Sequence, residues 1–162
     1  VRGLYCGALA LLLTGTAAAQ DRPTAVFEVE LLDTSGEGTK PDEAARIQAT
    51  TAELRRLVEG AAAYRVIDLA PAAEIIEARR PVRNCNGCEL DIARDLGAEV
   101  SFTTVVHKVS TLILSMQIVA RDVKTGEPLA MGVSDFRGDN NEAWLHSIRW
   151  LAKNRLGLVA AK

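Results

Sequence analysis

The residues best able to do chemistry in this chain are Cys85 and Cys88, set two apart in Cys85-Asn86-Gly87-Cys88. A c-type haem attachment needs a histidine directly after the second cysteine, and Glu89 stands there instead. A structural zinc site needs two further ligands, and neither His107 nor His146 has ligand spacing to the pair. No metal and no cofactor is therefore expected. Thiol–disulfide exchange needs a thiolate, which the start of a helix favours. Glu89 and Asp91 work against it, because carboxylates beside a thiol raise its pKa. The order of elements also lacks a thioredoxin-like βαβ start ahead of the motif. The preferred reading is a static disulfide fastening the loop after Pro81 to the following helix, worth roughly 2 kcal/mol for so short a loop. A thiol-redox accessory role for Cys85 and Cys88 is the alternative.

Two other groups invite a functional reading. In the polar loop Asp33 to Lys40 (DTSGEGTK), Asp33, Gly36 and Gly38 form a candidate ligand site, since glycines can expose amides to an anion. The loop lacks the spacing of a phosphate-binding loop, and no EF-hand pattern runs through Asp33, Glu37 and Asp42, so a plain solvated loop is the preferred reading. On the last helix, Trp150 lies off the apolar stripe, with His146 four residues before it and Lys153 three after. That trio is a candidate protein contact; the plain alternative is a tryptophan covering a sheet edge. His107 reads as a surface residue with no partner visible in its neighbourhood.

The elements that must carry these residues follow from periodicity. Ala25 to Leu32 (AVFEVELL) reads as one strand, with Glu28 and Glu30 on a wetter face. Pro41 opens a helix with Asp42 and Glu43 in its first turn. Ile47, Leu54, Leu57, Val58 and Ala61 line one side of it, Arg46, Glu53, Arg55 and Arg56 lie around them, and Gly60 ends it. Tyr64 to Leu69 is a short strand, and Pro71 starts a helix stopped by Pro81. Glu89 to Leu96 is a helix closed by Gly97. Strands follow over Glu99 to Lys108, from Leu112 to Arg121, where Leu112, Leu114, Met116, Ile118 and Ala120 alternate with Ser115, Gln117 and Arg121, and over Ala130 to Phe136. Asp139 with Glu142 reads as a capping box, worth roughly 1 kcal/mol, for a helix carrying Trp144, Leu145, Ile148, Leu151 and Ala152. The predicted order is β-α-β-α-α-β-β-β-α: a single α/β domain, a mixed sheet with helices packed on it.

The 162 residues carry 48% apolar letters, 25% charged residues and a net charge of -2. That content excludes a disordered chain, three cysteines exclude a disulfide-dense miniprotein, and the charge argues against nucleic acid. Residues 1–19 (VRGLYCGALALLLTGTAAA) read as a cleaved signal peptide. Arg2 is the positive end, Gly7 to Leu13 the apolar stretch, and Ala17 and Ala19 the small-residue cleavage pattern. The apolar run falls short of the ~20 residues of a membrane span. Cys6 precedes the apolar stretch, so it is not placed for lipidation. The domain is then 20–162, with net charge -3, two cysteines, no membrane anchor and a periplasmic address.

The segments FEVELLDTS (27–35), YRVID (64–68), ARDLGAE (93–99), HKVSTLIL (107–114) and DVKTG (122–126) together resemble an uncharacterised family of secreted proteobacterial proteins of unknown function. Some members are encoded near quinoprotein alcohol-oxidation systems. A helix ending in Leu96-Gly97-Ala98, a strand, and a meander broken at Thr125-Gly126 are similar to the TolB N-terminal domain and to curli-secretion-type lipoproteins. Thr104 departs from the glycine that relatives often carry. The resemblance implies a TolB N-terminal-like fold and an envelope protein that binds a periplasmic partner without catalysis. It transfers no active site.

Overall fold

A central strand is paired on both sides in the computed structural model, which describes residues 21–158; the signal peptide and Cys6 read from the sequence lie outside them. That strand is β4 (Val100–Ser110). On one side it is antiparallel to β5 (Ile113–Asp122), which is antiparallel to β6 (Pro128–Phe136). On the other side β1 (Arg22–Val26) and β2 (Glu30–Asp33) run parallel to it in succession, and β3 (Tyr64–Val66) pairs with β1. The order across the mixed sheet is β3-β1-β4-β5-β6, with β2 beside β4. The helices are α1 (Glu43–Glu59), α2 (Ala73–Ala78), α3 (Cys88–Asp95) and α4 (Asn141–Asn154). This is the expected single α/β domain.

The strand expected over Ala25 to Leu32 is two strands. Val26 sits opposite Phe102 and Glu30 opposite Val105, so four steps on one chain meet three on the other. One extra residue acts as a bulge and changes which side chains face which way. Val26 and Val29, three apart, both enter the core under the helices, while Phe27 joins the core on the opposite face. A regular strand cannot place residues three apart on one side.

The helix-side core packs Leu54 and Val58 of α1 and Trp144, Ile148 and Leu151 of α4 on Phe102, Val106, Leu114, Met116 and Ile118. On the other face α3 and the segment before it cover Ala25 and Phe27 with Ile92, Ala93, Leu69 and Val82. That cover stops short of β5 and β6, whose Gln117, Met131 and Val133 stay exposed.

Several boundaries shift. The helix after Pro41 begins at Glu43, with Asp42 flanking it, and Gly60 does close it. The second strand ends at Val66, and the segment at Pro71 is a 3-10 turn (Ala70–Ala72) leading into α2. Leu112 lies in the β4–β5 turn and is exposed. Arg46 and Glu53, read as the wet surround of α1, are buried. The cap of α4 is Asn140, whose side chain accepts from the Ala143 N–H at 2.9 Å. Asp139 is therefore not the capping residue, and its carboxylate serves another purpose.

Candidate functional site

Four regions carry the candidate residues, and they are spread around the molecule. At the start of α3, Cys85 and Cys88 are joined by a disulfide, with Cα atoms 5.5 Å apart. Asn86 and Gly87 between them take left-handed backbone (φ 55° and 102°), which turns the chain tightly enough for Cys88 to open the helix. Beside the bridge a cavity of about 440 Å³ opens on the face that α3 leaves uncovered. Phe27, Glu30, Arg83, Glu89, Val119 and Arg121 are among its walls. Glu30 accepts from the Val82 N–H (2.5 Å), the Arg83 N–H (3.1 Å) and the Arg83 guanidinium (3.1 Å). Its carboxylate holds the segment after Pro81 against β2. Glu89 keeps a side chain only 9% exposed, with Oε1 3.5 Å from Arg121 Nη1 and Oε2 3.9 Å from the Cys85 sulfur.

The loop of Asp33, Gly36 and Gly38 folds back on its own chain. Asp33 Oδ1 accepts from the Ser35 N–H (2.8 Å) and hydroxyl (2.6 Å), bonds that hold its pKa below the ordinary aspartate value. Glu37 accepts from the Thr111 N–H at 3.1 Å and the Lys40 ammonium at 2.8 Å, the latter lowering its pKa most. Gly36 and Gly38 supply the positive φ the turns need, 72° and 76°. The two carboxylates serve internal donors, and the loop lies apart from the disulfide.

Beneath that loop sits a buried charge cluster that sequence reasoning missed. Lys108 is fully buried, its Nζ 2.9 Å from Glu43, 3.1 Å from Asp139, 3.3 Å from Asp33 and 3.9 Å from Glu37. Burial alone would lower its pKa; the bonds to Glu43, Asp139 and Asp33 outweigh that, and the net shift is upward. Asp139, its side chain 2% exposed, also accepts from Arg46 and from the Trp144 indole N–H at 3.2 Å. Arg46 reaches Asp42 as well and stacks 5.5 Å from the Trp144 ring centre. The cluster ties β2, α1, β4 and the entry to α4 together. The signal for it was present: Phe102, Val106 and Lys108 share one face of β4, so the strand's own period put the lysine inside. Nearby, His107 Nε2 lies 2.8 Å from the Thr34 hydroxyl, a partner 73 residues away in sequence.

His146, Trp150 and Lys153 are all exposed on α4. The Arg155 guanidinium lies 5.5 Å from the centre of the Trp150 ring. Arg155 also leans on β6, where a Cβ on Gly132 would come within 2.7 Å of its own Cβ. The tryptophan and the last strand thus border one another through Arg155.

The direction in which β6 presents its backbone follows from the ladder. Phe102 and Lys108 carbonyls accept from Phe27 and Thr34, so even residues of β4 face β1 and β2, and odd ones face β5. The pairing of Val119 with Thr103 and Gln117 with Val105 uses the odd residues of β5. Its even residues bond to Gly132 and Ser134 of β6. Met131 and Val133 are left with their N–H and C=O groups on the outer edge, and with side chains 58% and 50% exposed.

Among the described residues no helix is long and apolar enough to cross a membrane. No curated protein matches the chain. Among solved structures, the LpoB C-terminal domain from Salmonella enterica aligns at 17% identity and TM-score 0.53, over 75% of this chain and 85% of that one. PelC from Paraburkholderia phytofirmans, solved as a dodecamer, aligns at 17% identity and TM-score 0.50, over 91% and 94%. Lipoprotein GNA1162 from Neisseria meningitidis aligns at 18% and 0.50, over 74% and 84%. At such identities the likeness is one of fold. Residues 22–156 match a family described as a protein of unknown function (DUF2380), and the chain belongs to that family.

Proposed function

We propose that this chain is a non-enzymatic accessory protein of the cell envelope that holds an extended segment of a protein partner along the free edge of β6. The observation that carries the reading is that edge. Nine residues long, it leaves the N–H and C=O groups of Met131 and Val133 without a backbone partner among the described residues, with Leu129, Met131 and Val133 exposed beside them. Proteins ordinarily blunt such an edge with charge, bulges or a covering element, and an added strand satisfies it directly. A bulge and Pro128 guard only its first residues, and from Ala130 to Ser134 there is no charge. Trp150 stands next to the edge as an aromatic anchor of the kind that dominates contact energies.

Export through residues 1–19 would put the domain in the periplasm, which agrees with a fold neighbour being named a lipoprotein. The resemblance to secreted proteobacterial proteins adds a quinoprotein-type oxidation system as the setting. The test is capture from envelope extract by the wild type, by Met131→Lys/Val133→Lys and by Trp150→Ala, each verified as folded by circular dichroism. The reading expects a defined protein retained by the wild type, lost by the double variant and weakened by Trp150→Ala. Equal retention by all three would refute it.

A further inference from the structure

We propose a second, independent site: on reduction, Cys85, Cys88 and Glu89 bind a divalent cation of zinc-like, borderline softness. The ligand atoms of the three residues lie within 4.8 Å of one another. The spacing of two residues between cysteines is that of half a zinc site, and a carboxylate oxygen is an accepted third ligand. The sequence set Glu89 beside the thiols without marking it as a ligand; its geometry appears only once α3 starts at Cys88.

A second observation points at a cation. The two carboxylate oxygens of Glu89 have different surroundings. Oε1 faces Arg121, whereas Oε2 faces the Cys85 sulfur at 3.9 Å. A disulfide sulfur carries no proton, so Oε2 receives no hydrogen bond from it. An acceptor on a side chain nine-tenths buried is thus aimed at two sulfurs with nothing to donate to it. A cation between oxygen and sulfurs satisfies all three. The adjoining cavity of about 440 Å³, which Glu89 lines, leaves room for a water in the fourth position of a tetrahedron.

The disulfide makes the site conditional. A dithiol reductant closes its own disulfide as the Cys85–Cys88 bond breaks, and its two electrons and two protons leave two thiols. The cation then displaces both thiol protons to water and binds the thiolates. Once the cation is gone, a disulfide oxidant takes two electrons and two protons from the bare thiols, becomes a dithiol and re-forms the Cys85–Cys88 bond, which closes the site again.

The test uses Co²⁺ alone, added without oxygen to the full chain reduced by a phosphine. The expected result is one Co²⁺ per chain with a thiolate-to-metal charge-transfer absorption. Oxidised wild type should give no such absorption, and Cys85→Ser should abolish it, which excludes Cys6 as its source. Glu89→Gln should weaken the affinity at least tenfold. The proposal is overturned if the reduced wild type shows no thiolate absorption, or if Glu89→Gln binds as tightly as the wild type. The oxidised and reduced wild type differ by no substitution, so the comparison does not depend on a variant folding.

Discussion

Replacing Lys108 with methionine should be among the most damaging single changes available on the sheet. Methionine nearly keeps the length and volume of the side chain, so the substitution removes the charge without opening a large cavity. What remains is Glu43 at 5% and Asp139 at 2% side-chain exposure, with Asp33 and Glu37 at the rim, and only Arg46 still paired to Asp139. Removing one partner of a buried ion pair typically costs about 3–5 kcal/mol, because the other charge is left without compensation. At roughly 4 °C per kcal/mol for a domain of this size, Tm should fall by roughly 12–20 °C. The sign of the pH dependence is a second check. Without the ammonium, protonating a buried carboxylate relieves an uncompensated charge, so the variant recovers ground on the wild type as pH falls. In the wild type, the folded pKa of Lys108 is raised above its ordinary 10.5, so its contribution is complete below that value and is lost as pH rises beyond it. Urea unfolding of both proteins at pH 7.5 and at about pH 4.5 measures the effect. A deficit under about 1 kcal/mol at neutral pH, or one that does not shrink in acid, would refute the reasoning.

Three further outcomes can be checked by the same unfolding experiments. Glu53 links Arg56 of its own helix to Arg149 of α4 at 2.6 Å, and the Arg56 bond does most to lower its pKa from 4.5 to about 2. That stability is present above 4.5 and lost as pH falls toward 2, so Glu53→Gln should cost about 2–3 kcal/mol at pH 7 and progressively less through that window. Gly132→Ala would set a Cβ 2.7 Å from the Arg155 Cβ and 2.9 Å from Leu151 Cδ2, and should cost about 1–3 kcal/mol through forced repacking of α4 on β6. Asn140→Ala should cost about 1 kcal/mol by removing the α4 cap.

What could be read from the sequence, and what could not, divides by the range of the interaction. Leu114, Met116, Ile118 and Ala120 recur at every second position, with Ser115, Gln117 and Arg121 on the other side, and this local period put β5 in place with the correct buried face. Gly97 and Gly126, both at positive φ, marked ends that any chain must make. The break between β1 and β2 was hidden because its cause is the pairing with β4, some 75 residues on. Asp139 was misread because a carboxylate just before a helix looks the same whether it caps the helix or meets a buried lysine from another strand. The disulfide was legible from spacing alone. Glu89 could be read as a carboxylate beside the thiols, but not its aim at the Cys85 sulfur, which the turn at Asn86 and Gly87 sets. Trp150 was legible as an exposed aromatic, but its place beside a free sheet edge depended on the strand order, which periodicity does not encode.

The proposed partner-holding role of the β6 edge is tested most directly by photo-crosslinking in intact cells. A photo-reactive amino acid replaces Met131 in one protein and Asp91, on the exposed surface of α3, in another. The account predicts a discrete adduct of one protein from position 131 and none of that mass from position 91. No adduct at position 131, or the same adduct from both positions, would contradict it.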